Sequence, residues 1–201
     1  MDEKILLMTP GPTEVDPRVV KAMLRPAIYH YDQEFISLYD ETEELLRKVL
    51  QTEGDVIMLP GSGRTGIECA SLSFVERNEK VLAITTGTFG NWFIEILKVH
   101  GADVLTLSFP KGGKIDLEAV KKTLDENNDV STIAMVHNET STAAIYNKEV
   151  EEVGNLAHSH DKIFLVDTIS SMGGTSVPVD GWNIDVCISG AQKALGGLVG
   201  V

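Results

Sequence analysis

Three residue sets in this sequence could do chemistry, and each closes an apolar run. Lys193 lies in "ISGAQKALGG" (Ile188–Gly197), a charged side chain among small and apolar neighbours. Asp167 ends "KIFLVD", where a carboxylate is expected to be buried and therefore to need a cation or a set of donors. Gly61-Ser62-Gly63-Arg64-Thr65-Gly66 follows "VIML" and reads G-x-G-x-x-G. Between a strand and a helix, that loop would offer free N–H groups and a positive dipole end to an anion. Each set has a plainer reading: a turn cap at Asp167, an ion pair between Asp167 and Lys193, a tight glycine turn at Gly61–Gly66.

The elements that must position these residues alternate along the chain. Strands are expected over Val56–Leu59, Lys80–Thr86, Asp103–Phe109, Thr132–His137, Lys162–Asp167 and Asp185–Ser189. Several lack polar alternation, as strands covered on both faces do. Helical patterns fall between them, over Glu34–Thr52, Arg64–Glu76, Asn91–His100, Leu117–Glu126 and Lys148–His160. Asp116 is placed to cap the fourth helix at its start, and Gly101 to end the third. Such alternation implies right-handed crossovers, a mostly parallel sheet and an α/β fold with helices on both faces.

Ligands of open parallel sheets bind beyond the carboxyl ends of the strands. Those ends carry "PGSGRTGIE", "GTFGNW", "NETST", "DTISSMGG" and "GAQK", which suggests one site built from many loops. The strand after the glycine loop ends in Thr85-Thr86-Gly87, without the carboxylate that a dinucleotide ribose would require. No Gly-Lys-Ser/Thr follows either, so a P-loop is excluded and a monophosphate fits better. A lysine beside a phosphate cradle and a separate carboxylate points to a Schiff base with pyridoxal phosphate, whose ring nitrogen pairs with an aspartate.

Bulk properties narrow the partners. The chain has 201 residues, 43% hydrophobic and 23% charged, with 17 basic against 30 acidic residues and a net charge of −13. That balance suits a globular domain and disfavours nucleic acid and anionic membrane surfaces. Cys69 and Cys187 have neither metal-type spacing nor a disulfide framework, so no metal site and a reducing, cytoplasmic compartment are expected. The apolar run "ILLM" is too short for a signal core or a membrane span.

"TPGPTEVDPRV", "PGSGRTGIE", "HNETSTA", "VDTISSMGG" and "SGAQKAL" together resemble the class V aminotransferases of fold type I, the alanine–glyoxylate and serine–pyruvate group. The resemblance spans the chain, and the motifs occur in the family order. It implies the three-layer αβα large domain of the fold type I pyridoxal-phosphate transferases, over residues 21–201, after an N-terminal segment of residues 1–20. It also implies that the chain is truncated: the family's small C-terminal domain, which grips the substrate carboxylate, is missing.

The resemblance assigns roles. Lys193 would be the catalytic lysine that binds pyridoxal 5'-phosphate covalently, and Asp167 would hold the pyridine nitrogen protonated. Ser62, Gly63 and Arg64 would cradle the phosphate, with Gln192 adding a polar contact. Phe89 would stack on the ring, Thr140 or Ser141 would bond the ring hydroxyl, and Pro10 and Gly11 would line the substrate side. The implied reaction moves an amino group from alanine or serine to a 2-oxo acid such as glyoxylate or pyruvate, in a homodimer. A cofactor-binding fragment without turnover and a cysteine desulfurase stand as alternatives, although desulfurases carry histidines where Gln192 and Phe89 stand.

Other residues invite readings of their own. His137 ends a strand and could reach the site or be a satisfied core histidine. His30 matches a loop that the family places near the active site. His100, His158 and His160 are expected at helix ends. Trp92 and Phe93 are expected in the core.

Overall fold

Apolar strands without alternation need cover on both faces, and the flanking helices supply it. A computed structural model describes residues 6–200. In chain order its elements are α1 (Pro17–Ala22), α2 (Gln33–Leu50), α3 (Gly63–Phe74), β1 (Lys80–Thr85), α4 (Thr88–Val99), β2 (Asp103–Ser108), α5 (Leu117–Glu126) and β3 (Val130–Val136). Then follow β4 (Asn138–Glu139), β5 (Ala144–Ile145), α6 (Asn147–Ser159), β6 (Ile163–Asp167) and β7 (Val186–Ile188).

Five strands form one parallel sheet in the order β2-β1-β3-β6-β7. Side-chain parity divides the core. Val81, Ala83, Ala134, Val136, Leu165 and Ile188 pack with Ile67 and Ala70 of α3 and Phe93, Ile94 and Leu97 of α4. Leu82, Ile84, Ile133, Met135, Phe164 and Val166 turn the other way, onto Val120 and Leu124 of α5 and Val150, Val153 and Ala157 of α6. The result is a three-layer αβα unit, as the apolar runs imply. β2 takes the edge, and none of its residues is fully buried.

The chain leaves β1 through α4 to reach β2, then returns through α5 to β3 on the far side of β1. Strand order therefore reverses between β1 and β3, which opens a crevice at their carboxyl ends. The helix boundaries expected from sequence hold within a few residues. Asp116 caps α5 by accepting from the Glu118 and Ala119 amides at 3.1 and 3.3 Å. Gly101, at φ +95°, follows α4 with its N–H on the Lys98 carbonyl.

Some expectations fail. Val56–Leu59 is not a strand: it pairs with no neighbour, and Ile57 is 75% exposed. Bounded by Gly54-Asp55 and Pro60, four apolar residues suffice for an extended loop but find no sheet edge. α1 was not foreseen, although Asp16 and Pro17 are an N-cap and N1 pair; Asp16 accepts from the Arg18 amide at 2.7 Å. The β4–β5 hairpin around residues 140–143 also escaped notice, being only two residues a side. α4 starts at Thr88, before the expected Asn91, and this carries Phe89 onto the helix.

Candidate functional site

A cavity of about 300 Å³ opens at the carboxyl ends of the strands. Its wall is drawn from five segments. The start of α3 contributes Ser62, Gly63, Arg64 and Ile67, and the first turns of α4 contribute Phe89, Trp92 and Ile96. The segment after β3 contributes Asn138 and Thr140, β6 and its turn contribute Asp167, Ile169 and Ser170, and the loop after β7 contributes Gln192 and Lys193.

The Lys193 loop is held by the N-terminal segment. Thr13 donates its amide to the Gln192 carbonyl at 3.0 Å and its hydroxyl to the Lys193 carbonyl at 2.9 Å. Gly11, at φ +153°, lies so close to the lysine stem that a Cβ there would overlap Lys193 Cδ. Only glycine fits that approach.

Asp167 is 5% exposed and its Oδ1 accepts the Ile169 amide at 2.8 Å. It is thus a turn cap and a cavity wall at once. Burial pushes its carboxyl up to about 6, opposed by the Ile169 bond; the charge of Glu139 adds to the rise, and Lys193 holds it down slightly. A carboxylate so buried with one donor is poorly compensated, and a cation in the cavity would complete it.

The first turn of α3 has amides without intrahelical partners. Ser62, its N-cap, makes no side-chain cap bond and lines the cavity. Gly63 packs on the turn after β6, where a Cβ would come 2.5 Å from Ile169 Cδ1. Arg64 lays its guanidinium on Trp92, with Cζ 4.1 Å from the ring centroid. Phe89 meets Trp92 edge-on at 4.9 Å. Together these place a cation, free amides and an aromatic corner around one side of the cavity.

Beyond β3, Thr140 Oγ1 donates to Ser170 Oγ at 2.7 Å, and Asn138 Nδ2 donates to the same oxygen at 3.0 Å. Asn138 Oδ1 and Gln192 Oε1 are buried with no partner. Each such orphan costs about 1–3 kcal/mol, and both belong to cavity residues, so a donor from a ligand would relieve them.

The sequence-predicted residues divide clearly. Ser62, Gly63, Arg64, Phe89, Thr140, Asp167, Gln192 and Lys193 share the cavity wall. Ser141 does not: its amide and hydroxyl both donate to Glu139, away from the cavity. Pro10 is exposed and off the wall, while Gly11 packs against the Lys193 stem and the Gln192 carbonyl without lining the cavity. His137 is fully buried, with Nδ1 on Ser171 Oγ at 2.8 Å and Nε2 on Asn147 Oδ1 at 2.7 Å. Burial lowers its pKa, and it is the satisfied core histidine of the two readings. His30 is exposed, stacked beside Tyr29 and Tyr31.

Trp92 corrects an expectation. It is 43% exposed and lines the cavity, whereas Phe93 is in the core as expected. Residues three apart share a helix face, so the earlier start of α4 pairs Trp92 with Phe89. Asn138 and Ser170 were missed as wall residues, although both stand in the polar strand-end strings that mark the site.

Comparisons with known proteins agree with this geometry. The family described as "Aminotransferase class-V" matches residues 5–201. An uncharacterized aminotransferase of Methanocaldococcus jannaschii is 41% identical over 192 residues, 96% of this chain and 49% of its own length. The crystal structure of ureidoglycine–glyoxylate aminotransferase from Bacillus subtilis superposes with a TM-score of 0.92 at 35% identity, covering 100% of this chain and 52% of that one. Alanine–glyoxylate aminotransferase from Nostoc gives 0.92 at 36% identity, covering 100% and 53%. The chain spans about half the length of the curated relatives it matches.

Proposed function

The chain belongs to the class-V aminotransferase family, and from that premise we propose that it is the cofactor-binding part of a pyridoxal-phosphate-dependent aminotransferase. Its reaction would move an amino group from a small amino acid, alanine or serine, to a 2-oxo acid such as glyoxylate or pyruvate. The observation that carries the reading is one cavity wall bearing both Lys193 and a half-satisfied buried Asp167.

The donor set suits the cofactor. Lys193 offers an amine for the aldehyde and Asp167 a carboxylate for a protonated ring nitrogen. The α3 amides with Ser62, Gly63 and Arg64 suit the phosphate, and the orphaned Gln192 Oε1 lies on the same wall. Phe89 supplies an aromatic face. Thr140, already in the wall, suits the ring hydroxyl better than Ser141, which is spent on Glu139.

When bound, pyridoxal phosphate supplies an electrophilic aldehyde and a ring that accepts the electron pair left as a substrate's α-proton departs. Lys193 Nζ, on the cavity wall, would hold the aldehyde and is the amine there that could carry a substrate's proton. Asp167 would keep the ring-nitrogen proton in place by charge pairing, and Phe89 with Trp92 would exclude water from that face.

Residues 21–201 form the cofactor domain of this proposal, and the active protein would be a homodimer. Exposed apolar side chains over residues 6–49, among them Leu6, Met8, Leu24, Tyr31 and Leu45, support association. No helix among the described residues is long and apolar enough to cross a membrane. Both cysteines are free, and neither lines the cavity.

Mixing the protein with pyridoxal phosphate should give a yellow absorbance band, and adding alanine or serine should bleach it. A band that no amino acid alters would leave a passive binder; a colourless protein would remove the reading.

A further inference from the structure

Glu139 has no place in the chemistry above, yet it is among the most enclosed side chains of the fold, with no solvent exposure. No lysine or arginine pairs with it among the described residues. Every bond it makes is with a donor. Oε2 accepts the Phe89 and Gly90 amides at 3.0 and 3.1 Å, and Oε1 accepts the Phe89 and Ser141 amides, both at 3.2 Å, and the Ser141 hydroxyl. The two carboxylate oxygens thus accept from four donor groups, which fills most of their acceptor capacity.

Two of those amides belong to the first turn of α4, whose positive end a buried carboxylate complements. The fit is closed: a Cβ on Gly87 would come 2.5 Å from Glu139 Cδ. On the other side, Glu139 holds the turn that carries Thr140. One carboxylate thus joins the connection after β1 to the connection after β3, across the crevice where strand order reverses.

We propose that Glu139 is a positioning residue for the aromatic wall of the cavity. By holding the Phe89 and Gly90 amides it fixes the ring of Phe89, and with it Trp92 at the next position of the same face, against the bound cofactor. This rests on the proposed cofactor reading, but the latch itself exists without any ligand.

Two arms test it. In cofactor-free protein, Glu139→Ala should speed amide hydrogen exchange over residues 88–91 by about tenfold or more beyond the change at strand residues 133–136, which follows the global loss of stability. Glu139→Gln should fall between, because its one oxygen can still serve Phe89 and Gly90 while its amide faces Ser141. In the second arm, pyridoxal-phosphate affinity is titrated by absorbance in wild-type and Phe89→Ala backgrounds. Glu139→Ala should weaken binding about tenfold in the first and less than about twofold in the second, since residues acting through one another are not additive. If Glu139→Ala does not fold, Glu139→Gln carries the same comparison with an effect of about threefold.

Unchanged exchange over 88–91 overturns the latch. Faster exchange with an equal affinity loss in both backgrounds overturns the positioning role and leaves a helix cap. A wild-type protein that takes up no pyridoxal phosphate sinks the proposed function instead, and the exchange arm still decides whether Glu139 orders the α4 start.

Discussion

Two buried carboxylates stand past the ends of neighbouring strands and do opposite things. Glu139, beyond β3, is fully enclosed and accepts three amides and a hydroxyl. Asp167, ending β6 in register with Val136 of β3, is 5% exposed and accepts one amide. Burial is nearly equal, so burial cannot tell a structural acid from a binding one. Satisfaction can: the first has four donors built in, and the second faces a cavity with one donor and only the charge of Lys193 to oppose its burial.

The largest effect should come from emptying the satisfied site. Glu139→Ala leaves buried amides without acceptors, each worth about 1–3 kcal/mol, so a loss of roughly 4 kcal/mol is expected. Chemical denaturation of the cofactor-free protein reads it; a loss under about 1 kcal/mol would make the donors around Glu139 unimportant.

Asp167→Asn should act in the other direction. Its carboxyl lies at about 6 in the fold against an ordinary 3.8. The folded state therefore binds the proton more tightly, and ionisation costs stability as pH rises from 3.8 through 6. The cost is complete above that window and absent below it. At roughly 1.4 kcal/mol per unit, Asp167→Asn should stabilise the cofactor-free protein by about 3 kcal/mol at slightly alkaline pH, the gain vanishing in acid. The same variant should bind pyridoxal phosphate more weakly. Stability and binding then move apart at Asp167 and together at Glu139; a variant of Asp167 that loses both would erase the distinction.

A smaller effect should appear at Cys187. Burial pushes its thiol up to about 11, the Thr168 hydroxyl at 3.2 Å opposes this, and the Asp167 charge adds to it. Exposed Cys69 should label rapidly and Cys187 slowly. Asp167→Asn should quicken Cys187 by about twofold to threefold, in proportion to the modest share of one neighbouring charge. Equal labelling of both thiols would contradict the burial of this strand end.

The sheet was legible because β1, β3 and β6 are apolar along their length, which only two-sided cover explains. Val56–Leu59 shows the limit: the same composition without a neighbouring strand gives a loop. Asp167, Lys193 and the Ser62–Arg64 turn were legible as polar residues ending apolar runs. Glu139 was not, because it stands among Asn138, Thr140 and Ser141, all equally polar, and its partner amides lie 50 residues away in sequence. Trp92 was misread because helix starts are blurred in sequence: Gly87 caps α4 with no side-chain bond of its own, and the anchoring acid comes from a distant loop.

Reductive trapping can identify which lysine takes the aldehyde. The protein is incubated with pyridoxal phosphate, reduced with borohydride, and mapped by peptide mass spectrometry. The pyridoxyl group should be on Lys193, lost in Lys193→Ala and diminished in Asp167→Asn. A label spread over surface lysines and as strong in Lys193→Ala as in the wild type would contradict it.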